Sequence, residues 1–89
     1  MFYVYLIKSK KFPEQLYIGY TAVLKKRLTE HNQGLTFSTK RYKPWELIYY
    51  EACLEEDDAK RREKYFKTTQ GKRLLKTRLK SYFYGKRKS

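Results

Sequence analysis

The chain opens with an apolar block, Phe2-Tyr3-Val4-Tyr5-Leu6-Ile7, built from β-branched and aromatic residues that suit a pleated surface. Period-two alternation sends Phe2, Val4 and Leu6 to one face and Tyr3, Tyr5 and Ile7 to the other, so this strand is covered on both sides. The polar stretch Lys8 to Glu14, with Pro13, breaks the pattern before Leu16-Tyr17-Ile18-Gly19-Tyr20 resumes it. A connection of that length favours an antiparallel hairpin.

The period then changes. Thr21 is placed to cap a helix running from Ala22 to His31, which Asn32-Gln33-Gly34 ends by offering a glycine for the left-handed turn. Leu24, Leu28 and Val23 supply its core-facing side. Arg27 and His31, spaced i, i+4, share another face that looks back toward the second strand. Residues 35–44 form a polar, basic loop, and Trp45 to Glu51 reads as a third strand.

Four acids, Glu55 to Asp58, open the next helix, where they complement the positive end of the macrodipole. Ala59, Glu63 and Phe66 follow one stripe of that helix, so a carboxylate sits where a hydrophobe is expected. Gly71 is expected to interrupt before a last helix, Lys72 to Phe83. Its Leu75, Leu79, Tyr82 and Phe83 would face inward, and Lys72, Lys76 and Lys80 outward. The pattern predicts an α+β fold with a small three-stranded, largely antiparallel sheet flanked by helices in the order β-β-α-β-α-α. It predicts one domain over residues 1–84, fraying from Tyr84 and a basic tail at 85–89.

Composition changes this picture in two ways. Leu, Ile, Val and Phe make up only 20 of the 89 residues, close to the range in which a highly charged chain fails to fold. Sixteen aromatic residues, ten of them tyrosine, restore the buried area that the aliphatic residues lack and leave polar tips for chemistry. The charge is also uneven. Residues 1–59 hold 9 Lys plus Arg and 8 acids, whereas residues 60–89 hold 13 and 1, an electrostatic footprint for a polyanion. The lone Cys53 fits a reducing, cytoplasmic setting, and no run of about 18–20 apolar residues is present to span a bilayer.

Singly, the unusual residues have ordinary explanations: Tyr5 and Tyr17 as half-buried strand residues, Arg27 as a surface charge, His31 as a helix C-terminal cation. Glu63 would pair with Arg61 or Arg62, or be a partly buried carboxylate held by a hydrogen bond. Together they form a pattern. Val4-Tyr5-Leu6 and Tyr17-Ile18-Gly19-Tyr20-Thr21 come first, and Leu24, Arg27, His31 and Asn32 follow. Ser38-Thr39-Lys40, Pro44-Trp45-Glu46-Leu47, Tyr49, Ala59, Arg62-Glu63-Lys64 and Lys67 complete the set. This ordered set resembles the GIY-YIG endonuclease superfamily over about residues 2–80. It is similar to its small stand-alone bacterial members and to the N-terminal nuclease domain of the excinuclease C subunit. The first motif departs from the family pattern, reading Val-Tyr-Leu, and Tyr20 stands where some relatives place a lysine.

The resemblance implies metal-dependent cleavage of DNA phosphodiesters, structure-selective in repair or recombination. Tyr17 would act as general base or water-positioning residue, assisted by Tyr5. Since a phenol ordinarily titrates near 10, that role needs a nearby cation. Arg27 would supply it and stabilise transition-state charge. Glu63 would hold one Mg²⁺ or Mn²⁺, and His31 would relay a proton or orient Tyr17. Lys40, Arg41 and Lys43, with Lys72, Lys76 and Lys80, would hold the DNA backbone, and Tyr20 or Phe37 would stack on bases. A homodimer or a partner protein would supply target selection. The competing reading is a noncatalytic nucleic-acid-binding module that retains the fold.

Overall fold

A computed structural model describes residues 1–85. Three strands, β1 (Phe2–Ser9), β2 (Leu16–Thr21) and β3 (Trp45–Cys53), form an antiparallel sheet in the order β2-β1-β3. Helix α1 (Leu24–Asn32) joins β2 to β3, and α2 (Glu56–Phe66), α3 (Thr69–Arg78) and α4 (Lys80–Tyr84) follow the sheet. This is the α+β architecture that the periodicity predicts.

The alternation in β1 divides the core. Val4 and Leu6 pack with Ile18 of β2, Ala59 and Phe66 of α2 and Leu75 of α3, with Phe2 at the margin. On the other face Tyr5, Ile7 and Trp45 pack with Tyr17, Leu47 and the α1 residues Leu24 and Leu28. A bulge lies where Leu6 pairs with Tyr49 and Ile7 with Leu47. It shifts the parity of β3, so Trp45 and Leu47 face α1 while Tyr49 and Cys53 face α2.

Several boundaries differ from expectation. Helix α1 starts at Leu24 instead of Ala22, because Thr21 is still paired in β2 and its hydroxyl accepts the Val23 N–H at 3.1 Å in a local turn. Val23 consequently lies outside the helix and is exposed. Gly34 adopts φ +78° two residues after α1, as its position predicts. β3 runs two residues past Glu51 to Cys53.

Gly71 does not interrupt a helix. The break falls one turn earlier, where the Thr68 hydroxyl caps α3 by accepting the Gly71 N–H at 3.0 Å. Gly71 is buried inside α3 because a Cβ there would strike the Tyr65 carbonyl and come within 2.7 Å of Phe66 Cα. The last helix is divided at Leu79, and Tyr84 closes α4. Positions 86–89, most of the expected tail, lie outside the described residues. Among the described residues no helix is long and apolar enough to cross a membrane.

Candidate active site

The β1–β2 register sets Tyr5 opposite Gly19 and Ile7 opposite Tyr17. Tyr5 and Tyr17 therefore leave the same sheet face as diagonal neighbours, with ring centroids 6.5 Å apart. The Tyr5 ring lies across β2 only because Gly19 has no side chain. A Cβ there would approach the Tyr5 Oη to 2.5 Å and its Cζ to 2.7 Å.

Helix α1 crosses this face. Its His31 is fully buried, with Nε2 2.8 Å from Tyr5 Oη and Nδ1 2.7 Å from Thr39 Oγ1. The histidine hydrogen bond goes to Tyr5, while Tyr17 meets the imidazole only edge-on, 5.2 Å between centroids. Thr39 is itself buried, its carbonyl accepting the Trp45 Nε1–H at 2.9 Å. Asn32 secures the same loop, its side chain exchanging hydrogen bonds with the Trp45 backbone. Pattern reading assigned Thr39 no role. Its only signal was its place inside a matched motif, since burial of a loop threonine leaves no periodic trace.

Arg27, one turn before His31, pairs with Glu30 at 3.0 Å and stands beside the Tyr5 hydroxyl. Burial pushes the Tyr5 hydroxyl up to about 12, against the pull of the Arg27 guanidinium, and Tyr17 and Glu63 add to the rise. Burial and the Arg27 charge lower His31 to about 4, with Glu30 opposing. The imidazole is accordingly neutral near pH 7. Burial acts to lower Arg27, but Tyr5 and Glu30 outweigh it and hold the guanidinium above its usual value.

Glu63 approaches from α2. It pairs with Lys67 at 3.2 Å instead of with a neighbouring arginine. Arg61 is taken by Asp58, and Arg62 makes two hydrogen bonds to Glu51, at 2.9 and 3.2 Å. Lys67 Nζ also lies 5.9 Å from the Tyr17 ring centroid, which joins Glu63 to the tyrosine pair. Tyr17 is half-buried, and its hydroxyl makes no hydrogen bond among the described residues. Tyr20 donates to Glu56 at 3.3 Å and stands between two open hollows, one containing Arg27 and the other Glu63 and Lys67.

The five residues expected in the site thus converge. Tyr5 is a pinned, protonated phenol, and Tyr17 is the phenol with a free oxygen. Among the described residues no group of three or more His, Cys, Asp or Glu side chains gathers as a metal cage. Glu63 offers a single hard carboxylate, which suits a Mg²⁺-like ion that keeps most of its sphere for waters and substrate phosphate.

The basic residues fall into two sets. Lys40, Arg41 and Lys43 are exposed on the loop beside Trp45, with Lys40 Nζ 5.1 Å from the Phe37 ring centroid. Lys72, Lys76 and Lys80 line a hollow of about 660 Å³ with Arg73 and Tyr84. That hollow belongs to α3 and α4, where α3 packs on the sheet face opposite α1, so the two sets flank the sheet from different sides.

The small α+β domain thus carries a tyrosine pair, an arginine and a histidine on one sheet face, with a glutamate of α2 joined to them through Lys67. The chain belongs to the GIY-YIG family, matching the GIY-YIG catalytic domain over residues 1–76. This is a nuclease domain family. The chain is 37% identical over 75 residues to a UPF0213 protein of Staphylococcus haemolyticus, covering 83% of this chain and 89% of the relative. It is 40% identical over 68 residues to a UPF0213 protein of Clostridium perfringens (75% and 71% covered). A third relative, a UPF0213 protein of Pediococcus acidilactici, is 38% identical over 79 residues (84% and 78% covered). No solved structure matches the chain.

Proposed function

We propose that this protein is a divalent-cation-dependent DNA endonuclease that hydrolyses phosphodiester bonds, selecting substrates by DNA structure in repair or recombination. The observation that carries the reading is the Tyr17 hydroxyl, without a hydrogen bond among the described residues, on a ring that Lys67 approaches and beside a buried Tyr5–His31 pair with Arg27 and Glu63 alongside. A framework fold has no need of that arrangement.

Each side chain has a distinct task. Tyr17 contacts the attacking water and either orients it or, as the phenolate, accepts its proton, with the Lys67 ammonium 5.9 Å from the ring centroid. Arg27 faces the phosphoryl oxygens, where a permanently charged, forked donor stabilises growing negative charge. Tyr5 fixes Arg27 and is in turn held by His31. Glu63 would hold Mg²⁺ or Mn²⁺ once Lys67 is displaced from its carboxylate, and such an ion would supply Lewis-acid stabilisation of charge developing on the phosphate. Lys40, Arg41 and Lys43 and, from the far side, Lys72, Lys76 and Lys80 hold backbone phosphates, with Tyr20 available to stack on a base. A second copy or a partner protein adds target selection.

The Glu63–Lys67 ion pair also favours a second reading, a binding module whose carboxylate is committed to lysine. One experiment separates the two: incubation of labelled duplex, single-stranded and branched DNA with purified protein in Mg²⁺ or Mn²⁺ and in EDTA, beside Glu63→Ala. Cleavage that requires the metal and disappears in Glu63→Ala supports the nuclease. Tight binding without metal-dependent cleavage by either protein supports the module.

A further inference from the structure

His31 has two ring nitrogens and both are engaged, to Tyr5 Oη at 2.8 Å and to Thr39 Oγ1 at 2.7 Å. A neutral imidazole carries one proton, so one nitrogen donates and the other accepts. The direction of this chain decides which atoms of Tyr5 are free for Arg27.

Suppose first that Nε2 carries the proton. Tyr5 Oη then accepts from His31, and its own hydrogen needs another acceptor. None is present among the described residues, and Tyr5 is only 3% exposed. A hydroxyl hydrogen buried without an acceptor costs roughly 1–3 kcal/mol.

Suppose instead that Nδ1 carries it. Nδ1–H donates to Thr39 Oγ1, the Thr39 hydroxyl donates to the Thr36 carbonyl at 3.5 Å, and Nε2 accepts from Tyr5. Every hydrogen has an acceptor. The Tyr5 lone pairs are then left for the Arg27 guanidinium. Thr39 is held for this task by three backbone contacts: its carbonyl accepts from Trp45 Nε1 at 2.9 Å, its N–H donates to Thr36 O at 3.1 Å and its carbonyl accepts the Tyr42 N–H at 3.1 Å.

We propose that Thr39 is a positioning residue that locks His31 as the Nδ1–H tautomer, so that the Tyr5 hydroxyl donates to Nε2 and turns its oxygen lone pairs toward Arg27. The tautomer follows from the buried hydrogen-bond chain alone, whereas its value to catalysis rests on the nuclease reading. A tautomer readout therefore succeeds or fails independently of cleavage.

His31 is the only histidine in the chain, so its nitrogen resonances need no assignment by mutation. The test is long-range nitrogen–proton NMR of ¹⁵N-histidine-labelled full chain at pH 7, run on wild type, Thr39→Val and Thr39→Ser. The wild type should show a pyrrole-type Nδ1 and a pyridine-type Nε2. Thr39→Val, which keeps the shape and removes the acceptor, should invert or mix that pattern, and Thr39→Ser should restore it. A wild-type spectrum with pyrrole-type Nε2 overturns the proposal, as does a Thr39→Val spectrum identical to wild type. Should Thr39→Val fail to fold, the wild-type and Thr39→Ser spectra still decide the tautomer and its retention with a hydroxyl at position 39.

Discussion

His31 makes acid destabilisation measurable at a single group. The imidazole is fully buried, hydrogen bonded at both nitrogens, and lowered to about 4 by burial and by Arg27, against an ordinary 6.5. A depressed folded-state value means that the unfolded chain binds the proton more tightly. Stability is therefore fully present above pH 6.5 and is lost as pH falls toward the folded value of about 4. The complete difference amounts to about 3 kcal/mol, of which about 2 kcal/mol is lost between pH 7 and pH 5. Glu51, held below its usual range by Arg62 and Tyr49 despite its burial, acts in the same direction only below about pH 4.5. The interval from pH 7 to 5 thus isolates the histidine. Urea unfolding midpoints at constant ionic strength across that interval measure the loss, and the proton spectrum of the single imidazole locates its folded titration. A folded His31 that titrates near 6.5, or a midpoint that does not move between pH 7 and 5, would refute the burial argument.

Two further outcomes follow from the geometry. Gly19→Ala should displace Tyr5, whose ring cannot retreat from the buried His31. A destabilisation of about 1–3 kcal/mol in urea is expected, together with loss of cleavage and DNA affinity within about threefold of wild type. Unchanged stability would mean that the Tyr5 ring has room to yield. Replacing Lys72, Lys76 and Lys80 together with Gln should flatten the dependence of log affinity on log salt by up to about three units while leaving the unfolding midpoint near wild type. A salt slope identical to wild type would remove that face from the DNA contact.

Most of this architecture was legible because it rests on local periodicity. The two faces of β1 follow from strict alternation, and the convergence of Tyr5 with Tyr17 and of Arg27 with His31 follows from periods of two and of nearly four. What escaped depended on chain segments meeting in space. Gly71 reads as a helix breaker in isolation, yet it lies inside α3 because α2 presses its last turn against it. Thr39 reads as one polar residue in a basic loop, and only the fold of that loop around Trp45 buries it against His31. Glu63 invites pairing with Arg62, which β3 instead captures through Glu51, leaving Glu63 to Lys67. Gly19 belonged to a recognisable tripeptide, but the reason for it lies in a tyrosine across the sheet.

The central claim is that this cluster performs chemistry, and the Tyr17 hydroxyl tests it most directly because that oxygen has no structural partner among the described residues. Tyr17→Phe removes only the hydroxyl and keeps the ring that meets Tyr5, His31 and Lys67. Single-turnover cleavage of a saturating labelled DNA in Mg²⁺ should fall by at least about 100-fold, the scale of a general acid–base group, with the unfolding midpoint and DNA affinity unchanged. Cleavage by Tyr17→Phe at the wild-type rate would contradict the account.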